Sequence, residues 1–286
     1  MKCSDIHIRD PYVLVHEGNY YMYGSRAQNF AKKVGGFDVY VSTDLVNWTE
    51  PVECFNSIAY DLNDGANWAP EVHRYKDHFY MLATFTQKDG LRGTYILKAD
   101  SPMGPFVPHS EGAVTPKGWQ CLDGTLYLDK KGKPYMVFCH EHVQILDGTV
   151  CYMPLTDDLK CAAGEAVTLF AASSVPWVEA YKGGDHYVTD GPFLHRMQNG
   201  ELLMIWSSFI QNRYAQFVVK FDGGEIGMDF HHLPPIFRDD GGHGMIFAGE
   251  GQQYLTLHYP NTKGFERPRF FPIYETDNSI VIKENL

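Results

Sequence analysis

Apolar residues in this chain fall in short runs with period-two alternation, and the runs come in pairs joined by Gly, Asp or Asn. That alternation is the signature of β-strands, and the paired runs read as hairpins. In the first pair, Tyr12 to Val15 and Tyr20 to Tyr23 flank the turn Glu17-Gly18-Asn19, and Phe37 to Ser42 supplies a third strand. The same phrase returns at Ala69–Leu82, Asp123–Val137, Asp190–Met204 and Gly242–Leu257, roughly every 50 to 70 residues. Third strands follow near Tyr95 to Lys98, Val150 to Pro154, Gln216 to Phe221 and Arg269 to Tyr274. No segment has helical periodicity. Units that repeat in this way cannot bury both faces alone and must pack on one another. Five of them predict an all-β fold, a five-bladed β-propeller formed by residues 1–286 as one domain.

In such a fold each inner strand begins at the rim of a central funnel, so the residues that open the repeats face one small space. These are Asp10, Glu71, Asp123, Asp190 and His243. Like charges brought close together shift one another's pKa values, an arrangement typical of catalytic or metal sites. Taken singly, the candidates have simpler readings. Asp10 before Pro, Asp123-Gly and Asp190-Gly-Pro are turn signals, Glu71 reads as a paired rim charge, and His243 as a core histidine. Their shared position in five repeats argues for the site.

Bulk properties narrow the partners. A formal charge of −11, with basic residues scattered, argues against nucleic acid and an anionic membrane surface and leaves neutral ligands. The opening Met1-Lys-Cys-Ser-Asp-Ile-His lacks the apolar run of a secretory signal, and no stretch approaches a membrane span, so the expected location is cytoplasmic. The six cysteines show no metal-type pairing and read as free thiols. His140-Glu141-His142 lacks the His-Glu-x-x-His spacing of a zinc helix and falls at a strand end.

At Arg9-Asp10-Pro11-Tyr12, Trp68-Ala69-Pro70-Glu71, Asp123-Gly124, Asp190-Gly191-Pro192 and Gly242-His243-Gly244 the chain resembles glycoside hydrolase family 43, as does the phrase Tyr40-Val-Ser-Thr-Asp-Leu-Val-Asn-Trp48. The resemblance spans all five repeats in order. It implies an exo-acting hydrolase that cleaves arabinofuranosyl or xylosyl residues from short plant-polysaccharide oligosaccharides with inversion. It further implies that Asp10 is the general base, that Asp123 orients the acid and tunes its pKa, that Trp68 belongs to the substrate wall, and that His243 lies near a calcium ion on the axis. No organic cofactor is implied.

Inversion needs one carboxylate to activate water and one carboxylic acid to protonate the leaving oxygen, roughly 6.5–9.5 Å apart. One departure bears on this. The family's acid sits in Glu-Gly-Pro, whereas this chain has Asp190-Gly-Pro, one methylene shorter. Three readings follow: Asp190 is the acid, Glu141 or Glu179 has replaced it, or the propeller binds sugar without turnover. Trp68, Trp119 and Trp177 precede inner strands, where an indole could stack on a sugar or serve blade packing. Arg26, ending a second strand, could bind sugar hydroxyls, neutralise the carboxylates or lie on the surface. A phosphorylase would need a basic phosphate pocket, and no pair of basic residues suggests one. Oligomeric state is not encoded in these patterns.

Overall fold

The computed structural model describes residues 1–26, 35–62, 66–249 and 251–283. Its strands form five four-stranded antiparallel sheets, each built from four consecutive strands. Blade 1 holds β1 (Ile8–His16), β2 (Asn19–Arg26), β3 (Phe37–Ser42) and β4 (Val52–Phe55). Blade 2 holds β5 (Asn67–Tyr75), β6 (His78–Thr86), β7 (Arg92–Ala99) and β8 (Val107–Pro108). Blade 3 holds β9 (Cys121–Leu128), β10 (Pro134–His140), β11 (Thr149–Pro154) and β12 (Val167–Ala171). Blade 4 holds β13 (Asp190–Arg196), β14 (Leu202–Ile210), β15 (Arg213–Phe221) and β16 (Phe230–Phe237). Blade 5 holds β17 (Gly242–Gly249), β18 (Gln252–Tyr259), β19 (Arg267–Glu275) and β20 (Ile280–Ile282). The inner strands β1, β5, β9, β13 and β17 contact one another in a ring, as a five-bladed propeller requires. One α-helical turn, α1 (His142–Ile145), interrupts the expected all-β pattern. Glu250, in the fifth hairpin turn, lies outside the described residues.

Packing explains which strands the sequence announced. Apolar clusters fill the spaces between blades, one joining blades 3 and 4, another blades 2 and 3, another blades 4 and 5. Second strands are therefore covered on both faces: Phe79 to Phe85 and Leu202 to Phe209 are buried without a break. Fourth strands lie at the rim and are only partly covered, as in β16, so they carry no alternation and the sequence pattern does not announce them.

The first and last blades share no strand, and side-chain contacts close the ring. The Arg9 guanidinium donates to Asn261 Oδ1 at 2.7 Å and pairs with Glu266 at 3.3 Å. Trp48 stacks on Phe270, and Arg267 donates to the Ser4 carbonyl at 2.8 Å.

Candidate active site

Each inner strand carries the same irregularity near its start. The register slips between Arg9 and Tyr12, Trp68 and Glu71, Leu122 and Thr125, Asp190 and Phe193, and Gly242 and Met245. Inside each slip one residue is left-handed: Asp10 (φ 54°), Ala69 (φ 46°), Asp123 (φ 56°), Gly191 (φ 50°) and His243 (φ 53°). These are β-bulges, which re-aim a side chain out of the sheet, and strain at non-glycine residues costs on the order of 1–3 kcal/mol each. The true fivefold register is thus Asp10, Ala69, Asp123, Gly191 and His243. It corrects the expected one: Asp190 stands one residue before the bulge position and Glu71 two residues after it.

The preceding blade holds most of these bulges. Each second strand places one residue opposite the position before its own bulge: Ser25, Thr84, Cys139, Ser207 and His258. Ser25 Oγ accepts the Ala69 N–H at 2.7 Å, Thr84 Oγ1 the Asp123 N–H at 3.0 Å, and Ser207 Oγ the His243 N–H at 2.7 Å. His258 Nδ1 accepts the Asp10 N–H at 3.3 Å, which closes the ring. Between blades 3 and 4 the pattern changes, and the Gly191 N–H donates to Asp123 Oδ2 at 2.9 Å.

His243 is the hub. Its Nδ1 lies 3.2 Å from Asp10 Oδ1 and 3.7 Å from Asp123 Oδ2. A Cβ on Gly191 would come within 2.6 Å of the imidazole, so the left-handed glycine makes room for it. Burial opposes charging His243, but Asp10, Asp123, Asp190 and Glu71 together raise its pKa. Burial likewise opposes ionisation of Asp10. His243, Arg9 and the Ser25 hydroxyl, 2.6 Å from Oδ2, outweigh it and lower the Asp10 pKa. His258 is buried and held neutral: its Nδ1 accepts from Asp10, and its Nε2–H donates to Asn261 Oδ1 at 3.2 Å.

Asp123 and Asp190 behave in the opposite way. Burial raises Asp123, and Asp190 and Asp10 add to the rise against the pull of His243. Burial also raises Asp190, to about 6, against His243, the Tyr214 hydroxyl and Arg9. Close carboxyls titrate as a pair, and this pair retains a proton towards neutral pH. Asp123 is 6% exposed, whereas Asp190 is half-buried, so Asp190 is the more accessible of the two. Tyr214 Oη donates to Asp190 Oδ2 at 3.0 Å. The tyrosine ring crosses the bare face of Gly242, where a Cβ would lie 2.7 Å away, and stacks on His258.

The other candidates are distributed differently. Both Glu141 oxygens are held by Arg92, one by Nη2 at 2.6 Å, and the Arg92 guanidinium lies over the Trp68 ring. Glu141 is therefore tied in an ion pair, against its reading as a free acid. Glu179 is exposed, and its Oε2 accepts the Gln211 N–H at 3.0 Å. Arg26 pairs with Asp38 and Glu53, so the carboxylates it neutralises are those two. Arg9 is the guanidinium beside Asp10, 4.0 Å away. Trp177 packs against the core between blades 3 and 4, and Trp119 stacks on His140. Glu71 is buried and accepts from His73 Nε2 at 3.0 Å, while His73 Nδ1 accepts from Tyr12.

A calcium ion on the axis fits these residues poorly. Among the described residues no group of three or more His, Cys, Asp or Glu side chains is arranged to hold a metal. The two carboxylates nearest His243 face its imidazole, which supplies the central positive charge. His243 Nδ1 is thus turned to the two carboxylates, and side chains alone make no calcium site among the described residues. No helix among the described residues is long and apolar enough to cross a membrane.

Sequence reasoning missed Tyr214, Arg92 and the ring members Ser25, Thr84 and Cys139. The ring had a readable signal, since its members recur at one place in each second run.

Comparison with known proteins agrees with this architecture. A family model described as glycosyl hydrolases family 43 matches residues 5–223. The chain is 36% identical to an endo-arabinase from Bacteroides thetaiotaomicron, with a TM-score of 0.89 and 98% of each chain covered. It is 28% identical over 158 residues to an arabinoxylan arabinofuranohydrolase of Paenibacillus polymyxa; the match takes in 44% of this chain and 24% of that protein's length. A thermostable family-43 glycoside hydrolase, 23% identical, shares the fold with a TM-score of 0.84, covering 100% of this chain and 96% of the other.

Proposed function

Because the chain belongs to glycosyl hydrolase family 43, we propose that it is an inverting, exo-acting glycosidase that releases arabinofuranosyl or xylosyl residues from short plant-polysaccharide oligosaccharides. Arabinofuranosyl chains are the first substrate to test, given the likeness to an endo-arabinase over nearly the whole chain. The observation that carries the mechanism is the division of one carboxylate cluster around His243: the surroundings of Asp10 favour its ionised form, while the Asp123–Asp190 pair shares one retained proton.

In this reading Asp10 takes a proton from water as the water attacks the anomeric carbon. Asp190, open to the funnel, gives its proton to the leaving oxygen, and the glycosidic bond breaks with net inversion. Asp123 is the partner that keeps the proton available to Asp190. His243 fixes Asp10 and Asp123 and balances their charge. Glu141, through Arg92, sets the position of the Trp68 indole, whose ring is suited to line a sugar. No step is routed through a metal.

The test is hydrolysis of aryl arabinofuranoside, aryl xyloside and linear arabino-oligosaccharides, with products followed by chromatography and proton NMR. Monosaccharide alone, released first as the inverted anomer, is the expected result. Oligosaccharide products would make the enzyme endo-acting, a retained anomer would overturn inversion, and binding without turnover would favour the sugar-binding reading of Asp190.

A further inference from the structure

Asp10 and Asp123 occupy the same bulge position in blades 1 and 3, with the same left-handed backbone, yet they hold protons differently. The second strands differ at one matched position. In blade 1 it is Ser25, whose hydroxyl donates to Asp10 Oδ2 at 2.6 Å and accepts the Ala69 N–H of the next blade at 2.7 Å. In blade 3 it is Cys139, fully buried. A thiol is a weak donor and a weak acceptor. No hydrogen bond joins it to Asp123 or Gly191 among the described residues, and the Gly191 N–H goes straight to Asp123.

We propose that this one second-strand position helps to set the two blade-equivalent aspartates apart as base and proton holder: Ser25 supplies Asp10 with a hydroxyl donor, and Cys139 withholds one from Asp123. Ser25 and Cys139 are thus positioning residues, acting through the carboxylates and not on substrate. The inference rests on the reading of Asp10 as base. A hydrogen bond donated to a carboxylate favours its ionised form. The other groups facing Asp10 are His243, Arg9 and His258. Those facing Asp123 are His243, Asp190 and Asp10. His243 faces both, so it does not account for the difference; Arg9 beside Asp10 and Asp190 beside Asp123 begin it, and the hydroxyl donor of Ser25 adds to it.

Four variants of the full chain test this through the pH dependence of kcat/KM and the 13C titration of aspartate side-chain carboxyls. Ser25→Ala removes the donor from Asp10 and is expected to move the acidic limb up by about one unit. Ser25→Thr keeps a hydroxyl, as Thr84 does at the matched site in blade 2, and is expected to leave that limb in place. Cys139→Ser gives Asp123 the donor Asp10 already has, moving the alkaline limb and the upper carboxyl titration down by about one unit. Cys139→Ala offers no donor and is expected to leave both unchanged.

Equal effects of Ser and Ala at position 139, or limbs unmoved in both Ser25→Ala and Cys139→Ser, would overturn the proposal. Should Ser25→Ala unfold, the Cys139 pair decides alone. If neither Cys139 variant folds, the thiol is structural and the proposal fails. Asp10→Asn separates the two levels. Normal turnover in it removes Asp10 as base, whereas an inactive Asp10→Asn beside an unmoved limb in Ser25→Ala removes only the inference.

Discussion

Replacing Tyr214 by Phe isolates one interaction of the proposed acid. The change deletes a hydroxyl 3.0 Å from Asp190 Oδ2 and keeps the ring that stacks on His258 and packs on Phe209. A hydrogen bond to a charged group contributes about 1.5–3 kcal/mol. At about 1.36 kcal/mol per pKa unit its loss raises Asp190 by about one to two units. Because Asp190 is half-buried, water replaces part of the bond, and about one unit is expected. Starting from about 6, Asp190 is roughly one-tenth protonated at pH 7, and a rise of about one unit makes it about half protonated. A weaker acid is also a slower one, by roughly threefold per unit at a Brønsted slope near one-half. The two effects nearly cancel at pH 7, where the rate should change by less than about twofold. The alkaline limb of kcat on an oligosaccharide substrate should instead move up by about one unit, while an activated aryl glycoside shows little change. An alkaline limb that stays in place or moves down would refute the role given to Tyr214 and the assignment of that limb to the Asp123–Asp190 pair.

Four further outcomes follow from the same geometry. Asp10→Asn should lower turnover by about a hundredfold or more with the fold intact by circular dichroism, since general-base catalysis contributes about 10²–10⁴. Asp123→Asn should gain thermal stability over the parent as pH rises: a carboxyl whose folded pKa is raised stabilises below the ordinary carboxylate range and loses that contribution as pH climbs through the raised value, and a neutral amide has nothing to lose; equal melting temperatures from pH 4 to 9 would contradict the raised Asp123. Asp190→Ala should damage oligosaccharide hydrolysis far more than aryl glycoside hydrolysis, because only the poor leaving group needs the proton, and the same selectivity appearing in Glu141→Ala or Glu179→Ala would relocate the acid. Treatment with EDTA should leave melting temperature and turnover unchanged, while a loss restored specifically by calcium would show that water and His243 together hold an ion.

The fold was legible because the strands nearest the axis carry the strongest patterns. Hairpins such as β1–β2 and β13–β14 join an inner strand to one buried on both faces, so apolar runs and turn residues mark them in every repeat. The outer strands carry no such mark. Val107-Pro108 is a two-residue strand, and β16 reads Phe-His-His-Leu-Pro-Pro-Ile-Phe with most of its side chains in partial contact with solvent. Period-two patterning arises only where one face is buried and the other is not, and the rim of a propeller offers neither face a full partner.

The fivefold register was legible to within one residue in the fourth repeat, and that residue is the proposed acid. Repeats align Asp10, Asp123 and Asp190 as openings, but the left-handed positions align Asp10 and Asp123 with Gly191. Asp190 instead pairs in register with Ser207 and meets Tyr214 from the third strand of its own blade. A glutamate there would carry its carboxyl about 1.5 Å further along the side chain, the length of one carbon–carbon bond, and would not meet Tyr214 with the 3.0 Å geometry of the aspartate. The Tyr214 contact is thus fitted to the shorter side chain, and the departure from Glu-Gly-Pro reads as one half of a pair. Nothing in the sequence could join its members: they stand on strands two apart, and the bare α-carbon of Gly242, on the next blade, leaves the room that the tyrosine ring occupies.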